Sequence, residues 1–179
     1  MGTKSLLGIL LALFLLSSCT MDSQTPPSGR IAEFPDVRLT EATYVLGRSG
    51  ETPLSIEAQE IAIYEKTNQA ILDTLVFTQK DAEGNLLLSG RADKAQVDTK
   101  TYDAQLSGNI QVRRADEDFS IEAEQLLWLN DEQVLSSEGD SSVLINFDGG
   151  QTIKGSGFKG NLRTATYAFT SLEEGVLHR

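Results

Sequence analysis

The chain has 179 residues, with 26 acidic side chains against 15 basic ones and a formal net charge of −11; nucleic-acid phosphates and anionic bilayers would repel it, so neither is an expected partner. Aromatic residues make up 7%, with one Trp and one His, which leaves no base-stacking platform and no histidine metal site. A single cysteine excludes an intrachain disulfide.

At the start of the chain, Lys4 precedes an apolar run from Leu6 to Leu16 and then Leu16-Ser17-Ser18-Cys19. The run is shorter than the roughly 20 residues a membrane-spanning helix needs, and it fits the core of an export signal. Leu-Ser-Ser-Cys resembles the bacterial lipobox, so residues 1–18 are expected to be a lipoprotein signal peptide and Cys19 the lipidated residue. An ordinary secreted protein with a stray thiol is the competing reading. Residues 20–35 are polar, with Ser23, Gln24, Pro26, Pro27, Ser28 and Gly29. They offer little to bury against the entropy of ordering and read as a flexible tether. One domain is expected over residues 36–179.

Along that domain, turn signals recur about every sixteen residues: Lys66-Thr67-Asn68, Asp81 to Asn85, Asp98-Thr99-Lys100, Ala115 to Asp118, Asn130-Asp131-Glu132, Asp148-Gly149-Gly150 and Arg163-Thr164-Ala165. Between them apolar residues alternate, as in Leu75 and Phe77, Leu86 and Leu88, Ile110 and Val112, Phe119 and Ile121, and Val143, Ile145 and Phe147. Period two places each set on one face of a half-buried antiparallel strand. The stretch Glu57–Ala70 could be drawn as a helix, but its β-branched and turn residues argue against that.

Ser-Ile-Glu-Ala occurs twice, at Ser55–Ala58 and Ser120–Ala123, and Leu88-Ser-Gly-Arg-Ala92 and Ile153-Lys-Gly-Ser-Gly157 fit the same frame. Ala58, Ala92, Ala123 and Gly157 are thus spaced by 34, 31 and 34 residues. Within two frames the apolar parity changes, from Ile56 and Ala58 to Ile61 and Ile63, and from Ile121 and Ala123 to Leu126 and Trp128. A bend at the small residue keeps both sets facing inward. Ser-Ile-Glu-Ala is therefore expected to end one strand at a corner, with the next resuming beyond it. The expected fold is all-β, a repetitive antiparallel β-jellyroll of two facing sheets with an open seam.

Catalytic patterns are missing: there is no Gly-x-Ser-x-Gly, phosphate loop or HExxH. Glu57 and Glu122 occupy equivalent positions but alternate with inward apolar residues, so they face solvent. Asp116-Glu117-Asp118 lacks the spaced ligands of a calcium loop and reads as a solvated turn. No catalytic residue, metal or cofactor is expected, and the chain is not expected to be an enzyme. The last apolar stretch, Gly175, Val176 and Leu177, has no later strand to cover it and is the candidate edge for a partner strand.

The leader and polar tether, the repeated apolar-x-x-x-Ala frames, Gly108-Asn-Ile-Gln-Val112 and Gly149-Gly-Gln-Thr-Ile-Lys-Gly-Ser-Gly157 together resemble the LptC/LptA (OstA-like) family of periplasmic lipopolysaccharide-transport proteins, over roughly Val37 to Leu177. The resemblance implies a jellyroll whose apolar interior receives acyl chains, joined edge to edge with others into a bridge toward the outer membrane. The tethered form points to LptC rather than soluble LptA. Implied partners are lipopolysaccharide or a related glycolipid, an LptA-like bridge protein, an inner-membrane ABC transporter of the Lpt type, and a membrane held through Cys19. The strong negative charge favours a less anionic cargo. LptC generally carries a transmembrane helix where this chain has its lipobox, and Thr20 is not the aspartate that retains enteric lipoproteins at the inner membrane. The periplasm is the expected compartment, with the inner membrane implied by the family and the outer membrane still open.

Under this resemblance the candidate ligand-lining residues are Ile56, Ala58, Ile63, Leu75, Phe77, Leu88, Ala92, Val97, Ile110, Val112, Phe119, Ile121, Ala123, Val143, Ile145, Phe147 and Ile153. The alternative is a surface or periplasmic lipoprotein in which the same strands seal a packed core and serve adhesion or assembly. Alternation alone does not separate a filled core from a lipid groove.

Overall fold

Long β-rich segments with turns at short intervals fold as a strand ladder, and the structure, a computed structural model, shows one. It describes residues 34–47, 52–115, 119–164 and 166–176. The strands are β1 (Val37–Leu46), β2 (Leu54–Tyr64), β3 (Gln69–Lys80), β4 (Leu86–Asp98), β5 (Ala104–Arg114), β6 (Phe119–Leu129), β7 (Val134–Ser136), β8 (Ser142–Phe147), β9 (Thr152–Ser156), β10 (Lys159–Asn161), β11 (Thr166–Ala168) and β12 (Ser171–Val176). No helix occurs among the described residues. The first six strands form an antiparallel meander in chain order. Each of them is at least 10 residues long, against a usual length of about 5–6. Each is in effect two strands joined through a bend.

The bend lies where the ladder skips a step. Pairing passes from Ala42↔Ala58 to Thr40↔Glu60, from Ala58↔Leu75 to Glu60↔Asp73, from Leu75↔Ala92 to Asp73↔Lys94, and from Ile110↔Ala123 to Ser107↔Gln125. Glu41, Thr74 and Asn109 have φ of 49°, 51° and 47°, and Gly108 has φ of 75°, the left-handed region that side-chain-bearing residues enter rarely. These kinks line up across neighbouring strands as one transverse crease. Crossing it reverses which parity points inward, so Ala58 and Ile61 are both buried, as are Leu72 and Leu75.

The parity switch read at the two Ser-Ile-Glu-Ala segments is therefore present, but the expectation that the motif ends a strand is corrected. β2 and β6 run straight through it, because the neighbouring strands kink in step and the ladder never has to stop. Only beyond β6 does the crease become a break. The first part of β6 pairs with β8 and the last part with β7. β9 and β10 part at Gly157, where φ is 62°. β12 then joins β9, and β11 joins β10.

The outcome is an all-β, antiparallel jellyroll in which the two facing layers are halves of a single 12-stranded sheet. One layer holds Leu54–Ala58, Leu75–Gln79, Leu88–Ala92, Ile110–Arg114, Phe119–Ala123, β8, β9 and β12. The other holds the remaining halves with β7, β10 and β11. In the first layer an inward row runs through Ile56, Phe77, Gly90, Val112, Ile121, Ile145 and Ile153. Beside the crease the row of Ala123 continues through Val143 to Gly155. Gly155, not Gly157, is thus the register equivalent of Ala58 and Ala123, since the sequence frame ran two residues past it. Leu86, beyond a bulge at Gln79/Lys80, is exposed and does not share the inward face of Leu88.

Two hairpins are tied by aspartates. In the β3–β4 turn, Asp81 accepts the Asn85 backbone N–H at 2.7 Å and its side-chain amide at 2.8 Å. In the β4–β5 turn, Asp98 accepts the N–H groups of Lys100 and Thr101 at 2.8 and 2.9 Å.

Candidate functional site: an apolar cavity with a polar mouth

The interior is not uniform along the ladder. Toward β8–β12 it is packed solid: Val143, Ile145, Ile121, Ile110 and Phe158 are each at most 1% exposed. An aromatic cluster fills the space between the layers, with Phe119 5.0 Å from Tyr167 edge to face, and Phe158 5.3 Å from Phe169. Phe147 joins it 6.2 Å from Phe119. Such pairings add specific geometry to the area they bury.

Toward β1–β5 the layers enclose a cavity of about 240 Å³. Its first wall is Leu46, Leu54, Ile56, Leu75, Phe77, Leu88 and Val112; its second is Leu72, Ala95, Val97, Ala104, Leu106, Trp128 and Leu135. The crease is the closed side. At the opposite side the strand ends form a mouth, with Gly47, Thr52 and Gln79 on one lip and Tyr102, Asn130, Gln133 and Leu162 on the other. At one end of that seam, Arg114 reaches from the first layer to donate to the Leu162 carbonyl at 3.4 Å. Beyond this bridge lies the aromatic packing.

Of the residues named from sequence, Ile56, Leu75, Phe77, Leu88, Val97 and Val112 stand on the cavity wall. Ala58, Ala92, Ile110, Phe119, Ile121, Val143 and Ile145 are buried away from it, and Ala123 and Phe147 pack against the core partly buried. Ile63 also packs there, and Ile153 is half-buried in its inward row. The alternation located the interior faces, but it carried no information on which stretch is filled. Leu72, Ala95, Leu106 and Trp128 were missed as lining residues, although the reversed parity after the crease marks them. Gln79, Asn130 and Gln133 gave no signal, because amides near turns are ordinary. Gly175 and Val176 lie in β12, whose six residues are all exposed and which, among the described strands, pairs with β9 alone. Leu177 and Cys19 lie outside the described residues.

Fold and site together define an antiparallel β-jellyroll with an apolar interior that opens along one seam. The chain matches the family described as lipopolysaccharide-assembly, LptC-related, over residues 6–171, and it belongs to that family. It is thereby related to the periplasmic bridge that transports lipopolysaccharide. Among solved structures, the crystal structure of LptH, the LptA-homologous periplasmic component of the lipopolysaccharide transport device of Pseudomonas aeruginosa, matches with a TM-score of 0.53 at 12% identity, over 72% of this chain and 96% of that one. At that identity the likeness concerns the fold alone. Comparison with curated protein sequences gives no match.

Proposed function

We propose that this protein is a membrane-anchored periplasmic link in lipopolysaccharide or glycolipid export, and that acyl chains enter the β1–β5 half of its jellyroll. The observation that carries the reading is the cavity: about 240 Å³ of space walled by aliphatic and aromatic side chains and open along a seam. Acyl chains leaving a bilayer need a surface that removes them from water, and such a wall provides it. In this reading Cys19 carries the lipid anchor, residues 20–35 tether the domain beginning at Asp36, and an inner-membrane ABC transporter of the Lpt type supplies the cargo. β12, whose outer edge no described strand covers, is the surface that an LptA-like bridge protein would extend. The sealed-core alternative requires the close packing of the β8–β12 half throughout, and the cavity in the other half counts against it.

Photo-crosslinking in cells tests the reading. A crosslinking residue at Phe77 or Leu106, both on the cavity wall, is expected to capture glycolipid. The same residue at Val76, which alternates outward and is 49% exposed, is expected to capture none. Ile121 is 1% exposed and away from the cavity, so it serves as the interior control. Capture at Val76 alone, or at none of the positions in a folded protein, would refute the acyl-chain reading.

A further inference from the structure

The outer face of the first layer carries an ordered row of side chains. In register across adjacent strands it reads Glu57, Val76, Arg91, Gln111, Glu122, Leu144 and Lys154. Each stands between two inward neighbours, as Gln111 does between Ile110 and Val112, so the whole row points away from the cavity. Ionic groups fall on every second strand with alternating sign, and the strands between them carry an amide or an aliphatic side chain. Ionic neighbours are thus about 10 Å apart, and none pairs with another of the row. Among the described residues the side chains of Glu57 and Arg91 bind no other group. Glu122 accepts the Asn146 amide at 3.1 Å, and Lys154 lies 3.2 Å from Glu173. Val76 is an exposed aliphatic between two charges. From Arg91 to Lys154 the row runs along a shallow outer groove of about 270 Å³, which Glu124 also lines.

This row is its own complement. Turned end for end about Gln111, it sets Glu57 against Lys154, Val76 against Leu144, Arg91 against Glu122, and Gln111 against itself. A two-fold axis parallel to β5 and midway between two copies performs that operation, because it reverses strand order and keeps strand direction. Two-fold association needs a self-complementary patch, and sheets that pack face to face commonly keep their strands nearly aligned. In the adjoining outward row, Ser89 and Ser120 flank Arg113, and the remaining positions from Ser55 to Thr152 are Thr78 and Asn146. These short side chains let two sheets approach. Arg113 falls on the axis and is already paired with Asp148 at 3.0 Å. Beyond the ends of the first row, Thr43 and Glu174 come opposite each other, hydroxyl against carboxylate.

We infer that this outer face is a two-fold interface between two copies of the chain, in which Glu57 meets the partner's Lys154, Arg91 meets the partner's Glu122, Val76 packs on the partner's Leu144, and the Gln111 amides meet on the axis. The first layer runs from β1 to β12 through nine strands. At about five residues deep it covers roughly 700 Å² in plan, close to the roughly 800 Å² that each partner contributes to an interface of standard size. A net charge of −11 sets any two copies against each other at a distance, so the matched charges are what selects this face and its register. The pairing is face to face and leaves the outer edge of β12 open. It goes beyond the transport reading and does not depend on it.

Crosslinking in cells, with the full-length chain expressed under two different tags, tests the interface. A photo-crosslinking residue at Gln111 is expected to join two copies. The same residue at Gln96, exposed on the outer face of the other layer, is expected to join none. Arg91→Glu and Glu122→Arg, each alone, are expected to lower the Gln111 dimer about tenfold or more, the order of effect of like charges brought together. Expressed together, the two variants are expected to restore it as a mixed dimer, since every opposed pair is again of opposite sign. Glu57→Lys and Lys154→Glu repeat the exchange at the outer contacts, independently, should the first pair fold poorly. Association set by overall charge would instead strengthen with Glu122→Arg, which moves the chain closer to neutrality. That result, no capture or capture of a different protein at Gln111, equal capture at Gln96, or no recovery in either mixture would overturn the two-fold interface while leaving the acyl-chain reading intact.

Discussion

Gly90 shows how single residues set the shape of the interior. It occupies the inward row between Phe77 and Val112, where the neighbours on both sides supply a side chain. A Cβ there would fall within contact distance of the Phe77 ring and 2.7 Å from the Gln111 carbonyl oxygen. The glycine is therefore the floor on which Phe77 lies, and Phe77 in turn forms cavity wall. Gly90→Ala is expected to destabilise by about 1–3 kcal/mol, the usual range for overpacking a fitted interior, measured by urea unfolding. It should also alter Trp128 emission, because the displaced ring moves into the cavity. The Ser-Gly-Arg-Ala frame marked Ala92 as its small position and gave no reading of Gly90, whose smallness answers to an aromatic ring on the next strand. Periodicity describes one strand at a time, and this contact exists only once the register is known.

At the scale of the element, the crease and the turns divide the work. Turn positions were legible because Asp, Asn and Gly at those places have local reasons to be there. Asp81 is held below its ordinary pKa of 3.8 chiefly by the Asn85 side-chain amide, and Asp98 chiefly by the Thr101 backbone N–H. A carboxyl whose folded pKa is lowered contributes stability that is complete above the unfolded value, near 3.8, and is lost as pH falls through the folded value. The β3–β4 and β4–β5 hairpins are thus expected to loosen below about pH 3.8, ahead of the packed β8–β12 half. Amide hydrogen exchange across an acid series would show it as early loss of protection at Asn85 and Thr101. The crease was only half legible. Its parity change could be read in β2 and β6, but the kinks at Glu41 and Thr74 rest on left-handed backbone at residues whose side chains do not advertise it.

For the molecule as a whole, the division of the interior predicts a division of sensitivity. Ile145 is 1% exposed and surrounded by packed neighbours, so Ile145→Ala is expected to cost about 2–5 kcal/mol. Leu88 already faces open space, and Leu88→Ala should fall near or below the low end of that range, because fewer contacts are lost. Paired urea melts decide this, and equal losses would mean that the cavity is closed by collapse in solution. The fold class was legible from the sequence because the alternation and the turns agreed along the domain. The filled and empty halves were not, since Ile56 and Ile121 sit in the same motif and the same row. What separates them is the later arrival of Phe158, Tyr167 and Phe169 from distant strands.

The crease has a mechanical consequence. Because the first six strands cross it intact, the two walls behave as the covers of a book on a shared spine, with the lips at the free margins. From Ala58 to Leu54 a cover is five residues deep, and at about 3.4 Å per residue a rotation of about ten degrees at the spine moves a margin by roughly 3 Å. Such a swing breaks no rung of the ladder on either cover, so the aperture can be widened by small changes in the φ and ψ of a few spine residues. The breaks beyond β6 uncouple the covers there, and the aromatic packing between them is what holds that end shut.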